Sequence, residues 1–253
     1  MTDPAASRGS SSIALGAEDR VRRCATVSLS VAAGDWGYAR RQATGIDTHW
    51  ASRSRESPAM FNGVIHLMRE VVHEQNAFLG VFLQTDFKSY LHWREHGFPE
   101  AGVRDGFGSA LIRSAEGHVI LDRQRAGNLN SGLAYLPGGF IDPRDVTADG
   151  SIDIDGSILR ELAEETGLLP AELDMQPGYI LIVHGPLVSM VRELRSRLDA
   201  AALRERILAH IAADPHAELS DAVIVRTPAD IADVALAPYA RQLLAWLHAQ
   251  PDA

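Results

Sequence analysis

Residues 160–168 read RELAEETGL, which packs three glutamates and an arginine into about two helical turns. Side chains three and four apart share a helix face, so Glu161 stands beside Glu164 and Glu165. Like charges at that spacing cost about 0.2–0.5 kcal/mol per pair, and something must offset the cost. Arg160, four residues before Glu164, offsets part of it. A hard divalent cation would offset more, because Mg²⁺ takes oxygen ligands from one or two carboxylates together with the phosphate oxygens of a substrate. The competing reading is a solvated, glutamate-rich helix face, the commonest fate of such a run. Two neighbouring features favour the cation. Pro137, Gly138 and Gly139 form a turn upstream where backbone can approach a ligand, since glycine has no Cβ, and Gly167 ends the helix just after the carboxylates.

Turn, acidic loop, carboxylate helix and terminal glycine together resemble the Nudix box over residues 138–168. That box is a Gly, five residues, a Glu, seven residues, then Arg-Glu-aliphatic-X-Glu-Glu-X-Gly-aliphatic. Its second part is complete from Arg160 to Leu168. The first part departs from the pattern. Asp145 stands where the glutamate after Gly139 is expected, and the fourteen residues VTADGSIDIDGSIL (146–159) replace seven. Asp142, Asp149, Asp153 and Asp155 are the other carboxylates in the enlarged loop that could replace that glutamate.

The resemblance implies a Mg²⁺-dependent hydrolase of phosphoric anhydrides, with Mn²⁺ as an alternative cation, acting on a small-molecule diphosphate. It implies Glu161 and Glu165 as first metal ligands, Glu164 as third, the Gly138 carbonyl as a further ligand, and Arg160 as the residue that orients a helix glutamate. The general base in the family is a box glutamate or a later carboxylate. Glu218, just before AVIVRT, is the later candidate, with an ordinary loop glutamate as the competing reading, and Glu193 is weaker still. The resemblance also implies an α/β/α sandwich with a mixed β-sheet over residues 104–253 and admits a homodimer. A small N-terminal α+β unit over 18–103 either sets specificity, its aromatics stacking on a base and its arginines meeting the diphosphate, or only packs against the core with Trp36, Trp50 and Trp93 as buried anchors. Within it MFNGVIHL followed by TDFKSYLHW resembles the start of Nudix proteins that hydrolyse UDP-glucose, which points to a nucleotide sugar. Hydrolysis of a nucleoside triphosphate or non-nucleotide diphosphate, and nucleotide sensing without cleavage, are the alternatives.

Other chemistries lack their residues. Cys24 is the only cysteine, so neither an intrachain disulfide nor a thiolate-rich metal site can form. No GxSxG elbow or Walker loop occurs. The ten histidines show no HExxH or comparable ligand spacing, which reads them as scattered core or surface residues. The net charge of −9 is concentrated beyond residue 100, where 13 basic residues face 22 acidic ones, and an acidic surface repels nucleic acid. The longest apolar runs, such as YILIV at 179–183, are too short to span a bilayer, so a cytoplasmic protein with no membrane partner is expected.

The positioning elements follow from periodicity. Residues 1–17 read as a disordered tail, 21–31 as a strand, and 36–63 as an ordered aromatic loop. Strands are expected at 64–72 and 77–85, a helix from Asp86 to Gly97, and a hairpin over 107–124 turning at Glu116 and Gly117. A short strand then runs into the 137–139 turn. The carboxylate helix is expected from about Ser157 to Thr166, strands at 178–184 and 222–227, and helices at 202–214 and 237–249. Residues 187–198 fit strand or helix.

Overall fold

The stretch from Val21 to Val31 is two strands in two different sheets. In the computed structural model, which describes residues 19–250 apart from 59, 75 and 128, the chain bends at Ala25 between β1 (Arg20–Cys24) and β2 (Thr26–Val31). The tail 1–17 lies outside the described residues. Next come α1 (Gly37–Arg41), α2 (Ala43–Glu56), β3 (Val64–Glu74), β4 (Ala77–Asp86) and α3 (Phe87–Glu95). The second part holds β5 (Asp105–Arg113), β6 (Val119–Gln124), β7 (Ala134–Tyr135), α4 (Ile154–Thr166), β8 (Leu173–Met175), β9 (Tyr179–His184), β10 (Leu187–Ser196), α5 (Ala200–Ala213), β11 (Leu219–Val225) and α6 (Pro238–His248).

The larger sheet has eight strands in the order β1-β9-β10-β5-β6-β11, with β7 on β6 and β8 on β10. β10 and β5 run parallel and the other pairs antiparallel, so the sheet is mixed. Residues 187–198 resolve as strand, because Val188, Met190, Val191 and Leu194 are all buried within the sheet. Helices cover both faces. A Cβ at Gly108 would press on Ile158 of α4, while its neighbour Phe107 packs edge-on against Tyr239 of α6 at 5.3 Å. α5 lies over β11 beside α4, completing an α/β/α sandwich.

The smaller sheet, β2-β4-β3, packs on the α4 side through Met68 and Phe82, which sit against Gly106. Its helices include the main surprise. The stretch expected as loop over 36–63 contains α2, a helix polar on nearly every side with only Ile46 buried. Such a helix shows no apolar period and is held by its partners. Arg53 pairs with Glu56 and Glu95, Lys88 with Asp47, and Trp50 meets Phe87 edge-on at 6.3 Å. Trp36, Tyr38, Tyr90 and Trp93 form a buried aromatic cluster, with the indole N–H of Trp36 donating to Ala101 O and that of Trp93 to Pro99 O. These aromatics are core.

The enlarged box loop is clamped between the two outer strands of this small sheet. On β2, Val31 N donates to Gly150 O at 2.9 Å and Ile152 N to Leu29 O at 3.0 Å. On β3, His66 N donates to Ile141 O at 2.9 Å. An open strand edge offers unpaired amides and carbonyls, and the loop satisfies them on both sides. Among the described residues no helix is long and apolar enough to cross a membrane.

Gly108→Ala should destabilise the protein by about 1–3 kcal/mol in urea unfolding, since the added methyl overpacks the α4 contact. An unchanged midpoint would contradict the packing described.

Candidate functional site

Helix α4 begins earlier than its periodicity predicts, at Ile154, because Asp153 caps it by accepting from Gly156 N at 2.9 Å. Gly167 ends it in the left-handed region at φ 71°. The carboxylates therefore occupy its last two turns. Facing them, the Pro137–Phe140 turn runs along β5, where Ala110 N donates to Pro137 O and Phe107 bridges Phe140. Close approach explains both glycines: a Cβ at Gly138 would overlap Gly108 O, and one at Gly139 would overlap the Glu161 carboxylate.

Arg160 organises the entrance. Its guanidinium donates to Asp145 Oδ1 at 2.9 Å and Glu161 Oε1 at 2.5 Å, with Glu164 at 3.6 Å and Asp142 at 4.0 Å. Burial opposes its charge, but the bond to Asp145 and the Glu161 charge outweigh burial and raise its pKa. Asp145, 4% exposed, also accepts from Asp142 N at 2.9 Å and so ties the loop to the helix. The remaining loop carboxylates are engaged elsewhere. Asp142 holds Arg144, Asp149 closes a turn with Thr147 and Ser151, Asp153 caps α4, and Asp155 pairs with Arg192 and Tyr179.

Glu165 points inward. Its Oε1 accepts from the Tyr135 hydroxyl at 2.9 Å and its Oε2 from Gly138 N at 3.0 Å. Burial, and then the charge of Asp122, pushes its pKa well above the usual carboxylate range. Glu161 is also raised, by burial first, with Arg160 opposing. Glu164 is exposed, 3.4 Å from Arg144, and its backbone carbonyl meets His210 Nε2 at 3.0 Å. Glu218 is exposed at the start of β11, where its carbonyl accepts from Arg125 N. Glu193 is buried in an ion cluster with Arg113, Arg195 and Arg23.

Sequence reasoning missed Asp122 and Tyr135. They are register partners across β6 and β7 and so share the face that looks at Glu165. Asp122 is fully buried, and neither carboxylate oxygen has a hydrogen-bond partner in the structure. Burial raises its pKa far above the carboxylate range. An aspartate inside the otherwise apolar run VILD was the available signal.

All these donors are oxygens, which suits a hard cation. Among the described residues, however, no group of three or more histidine, cysteine or carboxylate side chains already stands at coordinating geometry. Glu161 and Glu165 flank the glycine turn, and the Asp122 oxygens that act on Glu165 have no hydrogen-bond partner, so the donor set fits a cation in chemistry and position.

No family model matches the sequence, and no curated protein matches it. Among solved structures, the chain is similar to a Nudix hydrolase from M. smegmatis, RenU, with 16% identity and a TM-score of 0.39 over 57% of this chain and 84% of that one. It is similar to DR0079 from Deinococcus radiodurans, with 15% identity and a TM-score of 0.41 over 74% and 99%. A MutT protein from Methanosarcina mazei Go1 gives 21% identity and a TM-score of 0.37 over 56% and 91%. At these values the likenesses carry no weight for function, and the reading of the site rests on its own geometry.

Asp122 gives a pH signature. Its folded pKa lies above its unfolded value, so between those two values the folded chain binds more protons than the unfolded one, and stability falls as pH rises through that window and levels off above it. Asp122→Asn should flatten that fall and leave the variant about 1–3 kcal/mol more stable than the wild type at alkaline pH, because a neutral amide replaces a buried carboxylate that must ionise without a partner. Parallel pH profiles of the melting temperature would contradict a buried, unpaired carboxylate.

Proposed function

We propose that the protein is a divalent-cation-dependent hydrolase that cleaves a diphosphate bond, in the manner of the Nudix enzymes its box resembles. The observation that supports it most is the convergence of Glu161, Arg160 and Asp145 at one end of α4 while Glu165 reaches the Gly138 amide. Mg²⁺, or Mn²⁺ in its place, would be held by Glu161 and Glu165, with Glu164 and the Gly138 carbonyl as further donors. Such a cation neutralises phosphate oxygens that gain charge in the transition state and lowers the pKa of bound water.

The chain's own residues do the positioning. Arg160 donates from one guanidinium nitrogen to Glu161 and from the other to Asp145, so it serves as an orienting group rather than a substrate ligand. Tyr135 and the Gly138 amide hold Glu165 in one rotamer. Glu164, exposed beside Arg144 and Arg160, is better placed to accept a proton than Glu218, which stands at the start of β11.

For the substrate, the leading class is a nucleoside diphosphate linked to another moiety, with a nucleotide sugar such as UDP-glucose first. Since Trp36, Tyr38 and Trp93 are buried core, base stacking must use other surfaces, and among the described residues Phe61, 79% exposed, is the large aromatic left on the outside of the N-terminal unit. A second reading, nucleotide binding without turnover, draws on the enclosure of Glu165 by Tyr135 and Gly138.

Hydrolysis of UDP-glucose, ADP-ribose, dinucleotides and nucleoside triphosphates in Mg²⁺ tests the proposal. One class should turn over, and Glu165→Gln and Glu161→Gln should each lower kcat by about 10²-fold or more, the scale on which lost transition-state stabilisation is felt. No turnover by a folded protein that still binds nucleotide would replace the hydrolase with the binder.

A further inference from the structure

Beside the carboxylate site, the glycine turn, α3 and the segment before β3 bring aromatic side chains into one row. Phe140 follows Gly139 directly, and Gly139 lies so close to Glu161 that a Cβ there would overlap the carboxylate. The Phe140 ring therefore starts one residue from a group that faces a proposed cation ligand. Phe87, the first residue of α3, meets Phe140 edge-on at 5.9 Å, and Trp50 of α2 meets Phe87 edge-on at 6.3 Å. Gly63 O accepts from Phe87 N at 2.9 Å, and an edge of the Phe61 ring lies against Gly63, where a Cβ would stand 3.0 Å away. The row thus continues to Phe61.

Exposure sets these rings apart from the core behind them. Tyr90, 1% exposed, backs Phe140 edge-on at 4.7 Å and is itself fixed by donating its hydroxyl to Asp105 at 2.7 Å. Trp36 and Trp93 are enclosed in the same cluster. Phe140, Phe87 and Trp50 are only partly buried, and Phe61 stands almost fully in solvent. Edge-on neighbours on two sides hold the Phe140 ring, so it offers a flat apolar surface at little cost in conformational freedom.

We infer that Phe140, Phe87 and Phe61 form a stacking platform for the aromatic base of the substrate, whose diphosphate lies against the Gly138–Gly139 turn; the inference rests on the diphosphate reading of that turn. Continuity carries it. A nucleoside diphosphate holds a flat base one ribose away from its phosphates, and here accessible rings begin one residue from the turn that abuts Glu161. Phenyl rings have no hydrogen-bonding groups, so they register the presence of a base and not its identity. The platform selects nucleotides over base-free diphosphates and leaves the choice between uracil and adenine to other groups. Phe61 and Phe87 belong to the N-terminal part of the chain, which therefore contributes to specificity through its accessible phenylalanines and not through Trp36 or Trp93.

The test is calorimetric titration of the full chain in Mg²⁺ with the uncleavable α,β-methylene analogues of UDP and ADP, and with methylenediphosphonate, which has no base. The two nucleotides should bind within a few-fold of each other and about tenfold or more tighter than methylenediphosphonate. Phe61→Ser and Phe140→Leu should each weaken both nucleotides by about fivefold or more, the lower end of what a lost base stack costs, and Phe140→Tyr should restore them. The loss should be confined to the nucleotides. Circular dichroism confirms that each variant is folded. Nucleotides that bind no tighter than methylenediphosphonate, or that keep their affinity in both Phe61→Ser and Phe140→Leu, would overturn the platform, while methylenediphosphonate binding that Glu161→Gln abolishes would leave the diphosphate reading standing. Ring-dependent nucleotide binding by a protein without turnover would remove the hydrolase and keep the platform. Failure of all three ligands to bind would overturn both.

Discussion

The bond between Arg160 and Asp145 is the constraint on which the candidate site depends. Asp145 belongs to a loop of unusual length and Arg160 to the carboxylate helix, and the pair joins them with Asp145 buried and Arg160 partly exposed. Removing Arg160 would leave the buried Asp145 carboxylate without its cation, which destabilises strongly. The loop therefore cannot drift from the helix without a large penalty. The same guanidinium also holds Glu161, so anchoring the loop and aiming the Glu161 carboxylate are one interaction.

The small sheet completes this arrangement from outside. Its two outer strands donate to the box loop at Ile141 and Gly150 and accept from it at Ile152. The insertion that lengthens the loop is what reaches β2. The N-terminal elements thus contribute to the carboxylate site by holding its loop, and their buried aromatics are spent on their own core.

Much of the site was legible in the sequence because it is local. The 3.6-residue period, the glycine turn and Gly167 define a carboxylate helix within thirty residues, and the sandwich was expected from what that box resembles, with ordinary patterns placing most strands and helices. What was not legible depends on long-range pairing. Asp142, Asp145, Asp149, Asp153 and Asp155 look alike as letters, and only the path of the loop selects Asp145 for Arg160. Asp122 reaches Glu165 because β6 and β7 pair in one register. Helix α2 was read as loop since it is held by ion pairs to α3 rather than by an apolar stripe.

The buried carboxylates explain why this end of α4 suits a cation. Glu161, Glu165 and Asp122 are all pushed toward their neutral forms by burial, and neutral carboxyl groups are a poor use of three acidic residues in one place. A divalent cation would restore their charge and turn a destabilising cluster into a binding site. The most direct measurement is an anomalous-scattering map from crystals grown with Mn²⁺ and a methylene-bridged diphosphate that cannot be cleaved. A manganese peak within ligand distance of Glu161 and Glu165, in contact with the diphosphate, is the predicted result. A diphosphate bound without manganese at those carboxylates, or manganese only elsewhere, would contradict the account.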